Sequence, residues 1–393
     1  MSAFTPRLFL SSLRRRLLPA AAGMTQGATT WTTVLLWIAA LGGFAFLALV
    51  LTLRYLLLPQ IDSYRSEIEA LIGERLKRPV VLRRIATHWH GIQPSLDLYG
   101  VEIRDLAGRA ALSLDHVEAE LSWSSLWNLE LRLAKLELDA PQLDLRRDAQ
   151  GRWFVAGLEI DPHGGGDNEF AEWLFDQHSI VINNAQIVWR DELRAAPPLV
   201  LRQLNFKLIN SGKRHRFGLT AIPPTELAAP FDLRGDIEGK DVKRWETWRG
   251  ELYANVERTD LAAWTAWIDY PLPIPTGHGA VRLWAGFADK RLNSLTADLN
   301  LDGLRIRLQP ELPELELKRL SGRIAARRLT NGVELRSKQL GLSTADGIEI
   351  APTEMKLVWL DATPQRPAAG AASIDRFDVK AYTQLSAYLP LPT

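Results

Sequence analysis

Residues 129–155 read LELRLAKLELDAPQLDLRRDAQGRWFV. Apolar and charged side chains alternate along most of this stretch. A period of two places successive side chains on opposite faces of an extended chain, so the pattern reads as half-buried strand rather than helix. Leu131 and Leu133 fall on one face. After a slip of phase near Ala134 and Lys135, Leu136 and Leu138 take up the apolar alternation again. Such a slip predicts a β-bulge.

The same alternation recurs at 112–123, 179–193, 199–210, 250–258, 279–287, 294–310, 332–344 and 355–362. Phe206, Leu208, Leu299 and Leu301 occupy its apolar positions. Asp302–Gly303, Asn331–Gly332 and Asp346–Gly347 are expected turns. Short helices are expected at 168–177, 261–268 and 382–388. Two folds suit such a chain: a sandwich that closes two apolar faces on each other, or a long curled sheet whose apolar face lines an open trough. About 25 strands at roughly 4.8 Å spacing would run on the order of 100 Å. That favours the long sheet or several domains in series. Many of the 14 tryptophans, among them Trp123, Trp153, Trp189, Trp284 and Trp359, fall in strand-like stretches and are expected to cover apolar faces.

Upstream lies the opposite pattern. Residues 32–53, TTVLLWIAALGGFAFLALVLTL, hold no charge. A helix of this length spans the roughly 30 Å hydrocarbon core of a bilayer. Trp31 and Tyr55 stand near its ends, at headgroup depth. Arg7, Arg14, Arg15 and Arg16 precede it, whereas Asp62, Glu67 and Glu69 mix with basic residues after it. The positive-inside rule puts the N-terminus in the cytoplasm and the bulk across the membrane. The exit, Leu56–Leu57–Leu58–Pro59, is a poor cleavage site, so the run is expected to stay as an anchor. In residues 60–78, Ile61, Tyr64, Ile68 and Leu71 recur at helical spacing, an amphipathic juxtamembrane helix. It is expected either to close one end of a domain or to lie on the membrane surface. The expected organisation is a basic tail at 1–30, a transmembrane helix at 31–58, this helix at 59–78 and a β domain at 79–393.

The 47 basic and 46 acidic residues nearly cancel, so a nucleic-acid partner is not expected. The absence of cysteine excludes zinc–thiolate and iron–sulfur sites, thiol nucleophiles and disulfides. His88 and His90 share one side of a strand and could chelate a metal, but no neighbouring acid or cysteine is legible to complete the shell. A surface or packed pair is therefore the expectation. His163 sits beside Gly164, Gly165 and Gly166, read as a flexible linker. His215 stands among Lys213, Arg214 and Arg216, read as a solvated basic turn. No hydrolase, metalloprotease or phosphate-loop motif occurs. No catalytic residue, metal or cofactor is assigned.

The segment 56–105, with Leu58–Pro59, Ile61–Asp62, Trp89 and Pro94–Ser95–Leu96, resembles the start of the AsmA-like proteins, YhdP branch. Residues 136–155, with Pro141, Asp148, Gly151 and Trp153, resemble the repeated AsmA pattern of strand, proline, strand and closing Asp-x-x-Gly-x-Trp. The turn at 211–218 resembles a basic turn of the same branch. The resemblance covers residues 56–218. It implies a Gram-negative inner-membrane protein with a mainly β periplasmic part: a long curled antiparallel sheet with an apolar groove, akin to chorein-type bridge-like lipid transfer proteins. The implied activity is passive, non-enzymatic movement of phospholipid toward the outer membrane. Relatives in this branch are longer, so the chain is expected to be an anchored base or a short relative. Leu131, Leu133, Leu136, Leu138, Phe206, Leu208, Leu299 and Leu301 would line the groove. Ile61, Tyr64, Ile68 and Leu71 would stand where lipid enters. Membrane phospholipids, and envelope proteins at the distal end, are the expected partners. The alternative is a non-enzymatic assembly factor of the envelope, with a closed β core docking other proteins.

Overall fold

The computed structural model describes residues 21–76, 78–104, 108, 110–125, 132–155, 157–160, 176–240, 242–364 and 366–388. The chain divides into two units, Met1–Ile61 and Asp62–Thr393. In the first, helix α1 (Ala21–Thr52) carries the uncharged run. Among the described residues this is the one helix long and apolar enough to cross a membrane. Trp37, Phe44 and Leu47 on it are exposed. Water would penalise such a surface and lipid would not, consistent with a single-pass anchor.

The second unit carries helix α2 (Arg65–Leu76) near its start and is mainly sheet. The early strands are β1 (Val80–Val81), β2 (Arg84–His90), β3 (Gln93–Arg104), β4 (Ala110–Leu121), β5 (Leu133–Asp139), β6 (Gln142–Arg147), β7 (Trp153–Val155) and β8 (Leu158–Ile160). Then come β9 (Ser179–Asp191), β10 (Leu199–Ser211), β11 (Arg214–Ile222), β12 (Phe231–Glu238), β13 (Arg249–Asp260) and β14 (Thr276–Ala288). The last are β15 (Arg291–Ile306), β16 (Leu315–Leu329), β17 (Gly332–Thr344), β18 (Glu349–Leu360) and β19 (Ala369–Ile374), followed by helix α3 (Val379–Leu385). These 19 strands form one open, curled sheet. From β9 to β19 each strand pairs antiparallel with the next. The long-sheet expectation is met. Strands are fewer among the described residues, and longer, than the expected 25.

Two local readings of the sequence are borne out. Glu120 pairs Lys135 while Leu121 pairs Leu133, so Ala134 is the inserted residue of a bulge. Hairpins turn at Asn331 and at Asp346–Gly347. Asp302–Gly303 is different. β15 runs through it, with Asp302 opposite Arg319 and Leu304 opposite Leu317. Gly303, at φ 60°, sits in a bulge on the β14 side, where His278 pairs Asp302 but Thr276 pairs Arg305, while the pairing with β16 keeps register across it. The expected helix at 261–268 is a short 3-10 turn, Ala263–Ala266, and α3 covers most of the one expected at 382–388. Residues 163–166, and 168–175 of the helix expected at 168–177, lie outside the described residues.

One join is not antiparallel. β5 and β6 both pair parallel with β9. Pro141 separates them, yet Ala140 N donates to Asn183 O and Gln186 N to Pro141 O, so the ladder runs unbroken across the gap. The Asp-x-x-Gly-x-Trp motif closes β6 onto β7. Asp148 Oδ1 accepts from Gln150 N at 3.0 Å and Arg152 N at 2.9 Å. Gly151, at φ 83°, supplies the left-handed residue that the turn needs. Trp153 then stacks on Trp189 of β9, with ring centroids 6.4 Å apart.

Two acids, Asp62 in the 3-10 turn before α2 and Glu69 on α2, tie this segment to the sheet. Asp62 Oδ1 accepts from Ile85 N at 3.0 Å, and Glu69 Oε1 from Leu82 N at 2.7 Å. Ile68 is half-buried, while Tyr64 and Leu71 are exposed. Ile61 falls in the first unit.

Candidate functional site

Strand register sorts the side chains into two faces. One cross-strand row runs Leu138, Ile182, Phe206, Leu219, Leu233, Ala254, Leu283, Ala297 and Ile324, from β5 through β9 to β16. All nine are half-buried. A neighbouring row passes through Leu136, Ile180, Leu208, Phe217, Gly235 and Leu252. At Gly235 the ring of Phe217 lies across the backbone, and an added Cβ would sit 2.1 Å from Phe217 Cε1. The result is a continuous apolar face.

The opposite face is ionic. Asp236 accepts from Arg214 at 2.7 Å, Glu238 from Arg249 at 2.7 Å, and Asp298 from Arg323 at 2.8 Å. Glu334 is ringed by Arg327 at 2.8 Å, Arg336, and Lys356 at 3.8 Å. Hydrogen bonds from Arg327 and Arg336 hold the Glu334 carboxyl below its ordinary range, and Arg323 does the same for Asp298.

The apolar face is sealed at one rim and open at the other. Loops 223–230, 261–275 and 307–314 and helix α3 fall at one rim. There Leu301, Leu304, Leu315 and Leu317 pack with Leu385 of α3, joined by Leu261, Ile274 and Tyr388. Leu199, Leu227 and Trp267 form a second sealed cluster. At the other rim, where the turns at 289–290 and 330–331 lie, the same face stays wet. Leu252 is 39% exposed, Val333 43%, Leu335 40% and Trp359 54%.

The residues expected to line a groove divide accordingly. Leu136, Leu138, Phe206 and Leu299 are half-buried. Leu133, Leu208 and Leu301 are enclosed by neighbours, and Leu131 lies outside the described residues. The exposed members of the face, Leu252, Val333, Leu335 and Trp359, were not singled out from the sequence. Their signal was their place near the tight-turn ends of the strands.

The histidines are also placed differently. His215 is no solvated turn residue: it is buried, contacts Asn210 Oδ1 at 2.7 Å and Gly239 O at 3.1 Å, and stacks on Trp248. His88 and His90 do have acidic neighbours. His88 Nδ1 meets Asp97 Oδ2 at 2.6 Å, and Nε2 meets Glu118 Oε1 at 3.2 Å. His90 Nδ1 lies 3.3 Å from the same Glu118 oxygen. Asp97 Oδ1 in turn meets His116 Nε2 at 2.9 Å, and His116 Nδ1 meets Asp139 Oδ2 at 3.1 Å. Burial works against a charge on His116, but hydrogen bonds to Asp97 and Asp139 outweigh it and raise its pKa. The sequence hid these acids because they arrive from β3, β4 and β5, across the sheet.

No curated protein and no solved structure matches this chain. A family model described as YhdP protein matches residues 24–393, which spans the apolar helix and the whole curled sheet. With its single apolar helix and a large open sheet having one apolar face, the chain belongs to the YhdP family.

Proposed function

We propose that this chain is an inner-membrane-anchored, periplasmic lipid-transfer protein, or the anchored part of one. It conducts phospholipid passively toward the outer membrane. Membership of the YhdP family is consistent with a lipid-transport role. The observation that carries the reading is the unbroken apolar face, left wet at Leu252, Val333, Leu335 and Trp359. Acyl chains laid on such a face gain about 0.8 kcal/mol per buried CH₂. Headgroups would stay in water along the open rim. Movement along the strand-to-strand direction exchanges like contacts for like, so it needs no catalytic group. The basic residues before α1 support a cytoplasmic N-terminus, which would leave the sheet on the periplasmic side. Tyr64, Ile68 and Leu71 of the juxtamembrane helix offer apolar surface where lipid would enter.

The test is a photo-crosslinking amino acid at Leu335, compared with one at Arg336. These neighbours point to opposite faces of β17. Phospholipid captured at Leu335 and not at Arg336 is the expected result. Equal capture at both, or none at either, defeats the reading.

A further inference from the structure

We propose that His88, His90 and Glu118 form a binding site for a divalent transition-metal ion of the zinc type. Their three ligand atoms all lie within 4.8 Å of one another. The two nitrogen-to-oxygen separations are 3.2 and 3.3 Å. A tetrahedral ion with bonds of about 2.0–2.1 Å holds its ligand atoms roughly 3.3–3.4 Å apart. Both separations thus match an edge of that tetrahedron before any ion is added.

The second observation concerns the ring orientation of His88. A carboxylate can only accept, so Asp97 Oδ2 fixes the proton of His88 on Nδ1, 2.6 Å away. The ring's other nitrogen, Nε2, faces Glu118 Oε1 at 3.2 Å, an oxygen that also accepts from Ser95 Oγ. His90 Nδ1 converges on the same oxygen from a second direction, and a metal ion bonds to all three. The arrangement of carboxylate, histidine and ion is the usual way a protein orients a metal-binding imidazole. Asp97 is itself held by His116.

Register explains how the site is assembled. His88 and His90 sit two residues apart on one face of β2, and Glu118 comes from β4, beyond β3. A bound ion would fasten β2 to β4 over the strand between them. Three protein ligands leave a fourth position, and the exposed His90 opens it to water. Imidazole and carboxylate donors suit zinc, and no thiolate is required. The site stands apart from the lipid reading, since its side chains project from the ionic face.

The test uses the full chain in detergent, stripped with EDTA and titrated with Zn²⁺ by calorimetry and with Co²⁺ by absorption. One equivalent should bind, with the intense visible bands of tetrahedral Co²⁺. His88→Gln and Glu118→Gln should weaken binding at least tenfold. Asp97→Asn, a positioning change, should weaken it about 10–100-fold. His90→Gln alters an exposed side chain, so it should keep the metal-free melting temperature and still lose affinity. His278→Gln, at a distant exposed histidine, should change nothing. Absence of stoichiometric uptake, or equal uptake by wild type and His90→Gln, would overturn the proposal.

Discussion

Truncating one leucine at each rim separates an open trough from a closed core. Leu301 is 3% exposed and packs with Leu304, Leu315, Leu317 and Leu385. Leu301→Ala leaves a cavity beneath helix α3 and should cost about 2–5 kcal/mol. Leu335 belongs to the same apolar face but is 40% exposed. Full burial of a leucine side chain contributes about 1.5–3 kcal/mol, so Leu335→Ala should cost only about 1 kcal/mol. Glutamate widens the gap. Leu301→Glu places a carboxylate among leucines and should prevent folding of that rim. Leu335→Glu leaves the charge in water and should fold. It should still abolish phospholipid capture, because an acyl chain would have to cross the carboxylate. Urea unfolding followed by tryptophan fluorescence, together with lipid extraction and mass spectrometry, reads both effects. If Leu335→Glu unfolds the chain as Leu301→Glu does, the face is a dry core and the trough reasoning fails. If it folds and carries normal lipid, the face is open but does not hold the cargo.

Three further outcomes follow from the geometry. Gly235→Ala forces the Phe217 ring off the backbone and should destabilise by about 1–3 kcal/mol; an unchanged melting temperature would mean that the ring can move freely. The carboxyls of Asp236, Asp298, Glu334 and Asp375 are all held below their ordinary range, chiefly by hydrogen bonds from Arg214, Arg323, Arg327 and Arg336, and Thr353. A lowered pKa gives stability that is fully present above the unfolded carboxylate range and lost as pH falls through the folded values, so melting temperature should drop below about pH 4. Glu334→Gln should shallow that acid limb, and a melting temperature flat down to pH 3 would contradict the assignment. Asp62→Ala and Glu69→Ala each remove an acceptor from a backbone N–H at the start of the sheet. Each should cost about 1–2 kcal/mol and speed amide exchange at Ile85 or Leu82, and unchanged exchange there would show that these acids do not dock the segment 62–69 on the sheet.

What the sequence disclosed was whatever depends on near neighbours. The two-residue period of 129–155 identified strands, and the slip at Ala134 identified a bulge, because both are local properties of an extended chain. The uncharged run identified the long apolar helix for the same reason. Pairing over distance was hidden. Nothing in LELDAPQLDLRR says that β5 and β6 run parallel to β9, since that partner lies far along the chain. Asp302–Gly303 carries the residues of a turn, yet neighbours on both sides keep it in a strand. The acids that surround His88 and His90 come from 97 and 118, where alternation alone marks them as solvent-facing. The division of apolar residues into sealed and wet was likewise not legible. Leu301 and Leu335 have the same pattern around them and differ only in which rim they approach.

That difference is also the strongest argument for a cargo. Exposed apolar area costs roughly 25 cal/mol per Å², and an isolated sheet with one apolar face ordinarily covers it with helices or a second sheet. This chain has covers and uses them unevenly. Trp264, Trp267, Leu385 and Tyr388 close one rim, while Leu252, Val333, Leu335 and Trp359 stand uncovered along the other. Large contiguous apolar surface left open on a folded protein marks a place where something else binds. An ionic outer face, with pairs such as Arg323–Asp298 at 2.8 Å, gives that something no foothold on the back of the sheet. A ligand that is apolar along its length and polar at one end fits such a cross-section: its tail on the face, its head at the open rim. With a fluorophore at Leu335, on the open rim, phospholipid carrying a nitroxide at the headgroup should quench more strongly than one carrying it at the tail end, and the reverse order would turn the lipid around in the trough.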